Sequence, residues 1–195
     1  MKLNLKSIGT IHTPYKEWAP YQPLETGEGD FFIQVDEELS GALDDLDSFR
    51  YIYVLAYLDK VTVKNDPTKA HPPWAHGREV GLFASRSPAR PNPIGLSIVK
   101  VIRVQGNRIY TSPMDMFDST PLLDIKPYIR TLDSKEDAND GWVESEDGAD
   151  HLLLHLRGIP HDHGEAGFQH GHSHEHGHDH SEEDVHEHAH KHDDR

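Results

Sequence analysis

The chain has 195 residues with a formal net charge of -15, and it contains no cysteine. That length suits one ordinary domain, and the missing cysteines exclude disulfides, thiolate metal sites and cysteine nucleophiles. An acidic chain argues against a broad, nonspecific grip on phosphates, which needs a basic face, but it leaves room for a local basic mouth.

In chain order, Leu3 to Ile11 alternates loosely and stops at His12-Thr13-Pro14-Tyr15, which predicts a first strand ended by proline. The N-terminal stretch lacks the apolar segment of a signal peptide, and no run approaches membrane-spanning length. The expected location is therefore the cytoplasm, with no membrane partner. Trp18 to Gly29 reads as a long loop, and Phe31 to Val35 as a short strand. Leu39, Leu43 and Leu46 recur at helical spacing after Glu37-Glu38, predicting a short amphipathic helix. Phe49 to Leu58 (FRYIYVLAYL) predicts a buried strand whose aromatics belong to the core.

Asp66 to His76 reads as a proline-rich loop and Glu79 to Ala84 as a strand. Ile94 to Val104 alternates, meets Gln105-Gly106-Asn107 and continues at Arg108 to Thr111, which is a hairpin signal. Leu122 to Ile125 and Leu152 to Leu156 read as further short strands. Helical content is low and no Gly-rich strand-to-helix turn is present, so a doubly wound Rossmann sheet is disfavoured.

Two segments carry ligand-type groups. In Ser85-Arg86-Ser87-Pro88-Ala89-Arg90-Pro91-Asn92-Pro93, three prolines stiffen a non-helical backbone that presents Arg86, Arg90 and Asn92. Guanidinium forks suit carboxylate or phosphate, and an amide both donates and accepts; equally, the arginines suit surface ion pairs. In the second segment, Asp115 to Tyr128, Asp124 and Lys126 lie two apart and share one strand face, where they suit either an ion pair or a substrate contact.

The strings GLFASRSPARPNPIGLS and DSTPLLDIKPYI, with the opening IGTIHTPYK and the loop PYQP at Pro20 to Pro23, resemble the hallmark segments of the TrmO/TsaA-like family. These are S-adenosylmethionine-dependent tRNA methyltransferases that modify N6 of an adenosine beside the anticodon. The resemblance spans nearly all of residues 7 to 142 and implies a mainly β, barrel-like, non-Rossmann domain with short helices, working as a homodimer; the composition of the C-terminal segment sets the expected domain at residues 1–160. It implies cofactor contacts from Pro20, Tyr21 and Gln22, from Asp59 and Lys60, from Arg86 and Leu96, and from Ser112, Pro113, Met114 and Asp115. Asn92, Asp124 and Lys126 are the candidate catalytic residues, Asn92 because an amide oxygen and a neighbouring carbonyl can accept the hydrogens of an exocyclic amine. Tyr21, Trp74 and Tyr128 are candidate stacking platforms for an unstacked base. Departures from the family pattern fall at Tyr21, at Arg50-Tyr51 and at Ser119-Thr120, and they leave a different RNA or a small molecule open as methyl acceptor.

From His161 to Arg195 there are twelve His and ten acids against two basic residues, too few apolar groups to offset ordering entropy, so this segment is expected to be a disordered tail. His170, His172, His174, His176, His178, His180, His186, His188, His190 and His192 offer imidazoles to nickel, zinc or cobalt, at labile, pH-dependent sites. A solvated low-complexity tail with incidental affinity fits the same composition. The alternative to a methyltransferase is a metal-handling or metal-sensing protein whose active part is this tail.

Overall fold

The computed structural model describes residues 4–20, 27–61, 68–72, 75, 77–144, 148–157 and 159. The expectations for Tyr21, Gln22, Trp74 and the tail 161–195 fall outside the described residues. Eight strands are described: β1 (Gly9–His12), β2 (Phe32–Val35), β3 (Tyr51–Tyr57), β4 (Lys69–Ala70), β5 (Val80–Gly81), β6 (Ile94–Gln105), β7 (Arg108–Thr111) and β8 (Thr120–Pro127). Six of them form a closed antiparallel barrel in the order β1-β2-β7-β6-β3-β8, so the mainly β, non-Rossmann expectation holds.

Period-two alternation decides which side chains fill the barrel. Ile11, Ile33, Ile52, Val54, Val99, Ile109 and Leu122 turn inward and are fully buried. The aromatics of β3 do the opposite of the core expectation: Tyr51 and Tyr57 lie on the outer face, 41% and 43% exposed, because Ile52, Val54 and Ala56 occupy the inward positions. A six-stranded barrel has an interior narrow enough to be filled by branched and small side chains alone. Backbones also approach closely. A Cβ on Gly9 would collide with the Gln34 carbonyl oxygen, and one on Gly95 would sit 2.9 Å from Leu58 Cδ2.

The expected helix over residues 37 to 46 is instead two 3-10 turns, Glu37–Leu43 and Leu46–Ser48, interrupted at Asp45, which takes a left-handed φ of 64°. The chain reverses through extended Asp44 and left-handed Asp45, so that Leu43 and Leu46 both turn into the core and plug the barrel end, while Leu39 is turned away. Met114, Met116 and Phe31 join the same core from the segments that flank the strands.

Three other segments differ from expectation. The first strand begins at Gly9 rather than Leu3. Only Val80–Gly81 of the 79–84 segment is a strand, pairing with β4 inside the expected loop before a 3-10 turn over Leu82–Ala84. Leu152 to Leu156 lies in the helix α2 (Gly148–Leu156), preceded by the one-turn helix α1 (Arg130–Asp133). Its leucines include no β-branched residue, and leucine is a strong helix former; a short apolar run does not by itself distinguish strand from helix.

Candidate functional site

The antiparallel pairing Tyr57↔Ile94 and Ile11↔Thr120 brings the end of β3, the start of β6, the end of β1 and the start of β8 to one rim of the barrel. The connections at this rim include the predicted ligand segments. Asp118 ties them together: its Oδ1 lies 3.2 Å from His12 Nδ1 and accepts from the Thr13 N–H at 3.3 Å, while its backbone carbonyl accepts from Lys60 Nζ at 2.8 Å. Burial pushes the Asp118 carboxyl up, but the Thr13 N–H, the His12 ring and the Ser119 hydroxyl together outweigh it and leave the group below the usual aspartate range. Lys60 also stands 5.5 Å from the centre of the Phe117 ring.

Asp115 is the deepest acid of this rim. The inward-facing Ser97 hydroxyl donates to its Oδ1 at 3.2 Å, and Arg86 lies close enough to favour its charge. Burial is the larger effect and raises its pKa. The Tyr15 phenol is raised in turn, by its own burial and then by the Asp115 charge. Sequence reading had Asp115 but missed Ser97 and Tyr15; the signal for Ser97 was its place in the β6 alternation, a hydroxyl at an inward position between Gly95 and Val99.

The two arginines of the proline-rich loop divide their roles. Arg90 Nη1 reaches the carbonyls of Leu82, Ser85 and Ser87 at 3.3, 3.0 and 3.4 Å, so it clips its own loop shut. Arg86 is exposed beside Asp115. Asn92 is exposed; its backbone carbonyl accepts from Ile94, and the neighbouring Pro93 carbonyl accepts from Leu58 at 2.8 Å. Asp59 is exposed, Pro20 and Met114 are buried, Pro113 is half-buried, and Ser112 accepts from the Lys100 N–H at 3.0 Å.

Leu96, Asp124 and Lys126 stand apart from this group. Leu96 and Asp124 both register with Leu55, and Lys126 with Tyr53, on the outer face of β3. Asp124 and Lys126 form an ion pair at 2.7 Å. Tyr128 lies beside Tyr53, tilted, with ring centres 5.5 Å apart. No group of three or more His, Asp or Glu arranged to hold a metal ion occurs among the described residues.

Residues 10–134 match the family described as the tRNA-methyltransferase O N-terminal domain. The chain belongs to this family. A probable S-adenosyl-L-methionine-binding protein of Pyrococcus abyssi is 36% identical over 141 residues, 71% of this chain and 75% of that protein. The tRNA (adenine(37)-N6)-methyltransferase of Escherichia coli is 30% identical over 154 residues, 74% of this chain and 66% of that protein. The crystal structure of TrmO from Pseudomonas aeruginosa superposes with a TM-score of 0.59 at 28% identity, covering 72% of this chain and 62% of that one. The chain spans only 39% of an Archaeoglobus fulgidus relative and 30% of the mouse tRNA (adenine(37)-N6)-methyltransferase. The matched region contains the whole rim, from His12 through Lys60 and Arg86 to Asp118.

Proposed function

We propose that the chain is an S-adenosylmethionine-dependent methyltransferase acting on N6 of adenosine in tRNA, at the position beside the anticodon. The observation that carries this reading is the family match over residues 10–134, supported by relatives named for S-adenosylmethionine binding and for adenine-N6 methylation of tRNA. The rim chemistry fits the cofactor. S-adenosylmethionine carries one carboxylate and two cationic centres, and the rim offers the exposed cations Arg86 and Lys60 beside the half-buried carboxylate Asp115.

The bound cofactor supplies a methyl carbon already activated by its sulfonium. Arg86 is assigned to the cofactor carboxylate through charge-assisted hydrogen bonds, with Arg90 holding the loop that carries it. Asp115, kept in place by Ser97, is the counter-charge for a cationic centre. Asn92, on the same loop as Arg86, accepts hydrogens of the exocyclic amine so that its lone pair points toward the methyl carbon. No strong base is needed before attack, and the proton leaves afterwards, so positioning supplies most of the acceleration. Asp124 and Lys126 are assigned as substrate-orienting groups on the outer face of β8.

That same face supports a homodimer. Leu96 and Ile98 are 55% and 47% exposed beside Tyr51 and Tyr57, an apolar surface of the kind that subunits cover. Sedimentation velocity of the full chain tests it; a monomer mass contradicts it. The domain is taken as residues 1–160, and the tail 161–195 as an appendage that binds nickel, zinc or cobalt loosely and is not required for the chemistry. A cytoplasmic location accords with a tRNA substrate and with the lack, among the described residues, of any helix long and apolar enough to cross a membrane.

Calorimetric titration of S-adenosylmethionine into the full chain, into a chain ending at Pro160 and into Arg86→Ala separates the readings. Saturable binding near one per protomer is expected in the first two. The substitution should weaken it by about 1.5–3 kcal/mol, roughly ten- to a hundredfold. A folded protein that fails to bind sinks the methyltransferase reading, and function lost with the tail would favour the metal-handling alternative.

A further inference from the structure

Outside the rim, the outer surface of β1, β2, β7 and β6 carries a second arrangement of chemistry. His12, Phe32, Tyr110 and Arg103 are direct cross-strand neighbours, since the register pairs His12↔Phe32, Phe32↔Tyr110 and Arg103↔Tyr110. Their planes form a row across four strands. The His12 and Phe32 rings stack at 4.6 Å, Phe32 and Tyr110 lie 5.6 Å apart, and the Arg103 guanidinium sits 3.6 Å from the Tyr110 ring centre. Three inter-strand steps make the row about 14 Å long. A bulge between Val101 and Arg103 leaves Ile102 unpaired and sets Arg103 opposite Tyr110. In the next row Arg108 donates from Nε to Gln34 Oε1 at 3.0 Å and stands 5.3 Å from the Phe32 ring centre. The neighbouring Arg103 and then Arg108 guanidinia hold the Tyr110 phenol below its usual pKa, against the effect of burial.

Cross-strand aromatic pairs alone would be ordinary sheet packing. The two cations go beyond that. Arg103 and Arg108 are exposed, and neither forms an ion pair with a carboxylate among the described residues, although the chain carries 34 acids against 19 Lys and Arg. Exposed guanidinia placed beside aromatic rings suit stacking on unpaired bases and hydrogen bonding to phosphates. The row also leads to the rim, because His12 bonds Asp118, whose carbonyl holds Lys60.

We propose that this row is a docking surface for single-stranded RNA adjoining the target adenosine, with Arg103 and Arg108 taking phosphates and the exposed planes taking bases. This rests on the tRNA reading above and adds the surface that presents the substrate. Both arginines are solvent-exposed, so replacing them leaves the barrel intact.

The test measures binding of a fluorescent anticodon stem-loop RNA to the full chain, to Arg103→Ala/Arg108→Ala and to Arg103→Lys, with S-adenosylmethionine affinity measured on each. The double variant should bind RNA about tenfold or more weakly, with a salt dependence shallower by about 1.5 in logarithmic slope, and with unchanged cofactor binding. Arg103→Lys should lose part of the affinity, since it keeps charge but not the plane. Equal RNA affinity in parent and double variant overturns the docking surface while leaving the tRNA reading intact. Cofactor binding with no RNA binding in the parent overturns both. Full competition by polyglutamate would also overturn the proposal, by revealing a site for any polyanion.

Discussion

Asp115 is the residue at which stability and binding are expected to pull apart. Burial raises its folded pKa, and the Ser97 hydroxyl and the Arg86 charge offset only part of that. The native state therefore holds this proton more tightly than the unfolded chain does. The resulting contribution to stability is fully present in acid and is lost as pH rises through the raised folded value. Asp115→Asn removes the titration, so the variant should gain stability over the parent between acid and neutral pH, read as a melting-temperature difference that disappears at low pH. The same substitution should weaken S-adenosylmethionine binding at neutral pH, because the counter-charge is gone. A variant that is less stable at neutral pH, or that binds the cofactor as well as the parent, would contradict the assignment. Arg86 and Arg90, four residues apart, show why residue type alone was ambiguous: one guanidinium is occupied by three carbonyls of its own loop, and the other is exposed.

At the scale of elements, the barrel strands are held by their inward branched side chains. Ile52, fully buried near the start of β3, makes this testable: Ile52→Ala should lower unfolding free energy by about 2–5 kcal/mol in urea titrations, whereas a surface change on the outer face of β3 should cost far less. Alternation made β2, β3, β6, β7 and β8 legible in the sequence, and Gln105-Gly106-Asn107 marked the β6–β7 hairpin. What alternation does not supply is the direction of the phase. FRYIYVLAYL reads equally well with tyrosines inside or outside, and only barrel closure, with room for Ile52, Val54 and Ala56, puts the tyrosines out. Helical spacing misled at residues 37–46 because Asp44 and Asp45 leave helical geometry between Leu43 and Leu46, which the leucine spacing alone does not reveal. The Leu152–Leu156 run misled because so short a leucine-rich stretch carries no period. The rim residues of long fixed motifs, Arg86 and Asp115, were legible. Ser97, Tyr15 and the Arg103–Tyr110–Phe32–His12 row were not, since each depends on pairing between strands distant in sequence.

For the molecule as a whole, closure of six strands leaves two different ends and one outer wall with two characters. One end is plugged by Leu43 and Leu46, and the other gathers Lys60, Arg86 and Asp115. The wall is apolar over β3 and the first half of β6, where a second copy is proposed to sit, and carries arginine and aromatic planes over β1, β2, β7 and the end of β6, where RNA is proposed to lie. This division gives an acidic chain local cations for a polyanionic substrate: Lys60 and Arg86 at the rim, and Arg103 and Arg108 in one row. The most direct test of the central claim is methyl transfer itself. The full chain and Arg86→Ala are incubated with methyl-labelled S-adenosylmethionine and tRNA, and the digested nucleosides are separated and identified by mass. The account predicts label on N6 of the adenosine beside the anticodon, strongly reduced by the substitution; label on another atom, or no transfer by a protein that binds both partners, would contradict it.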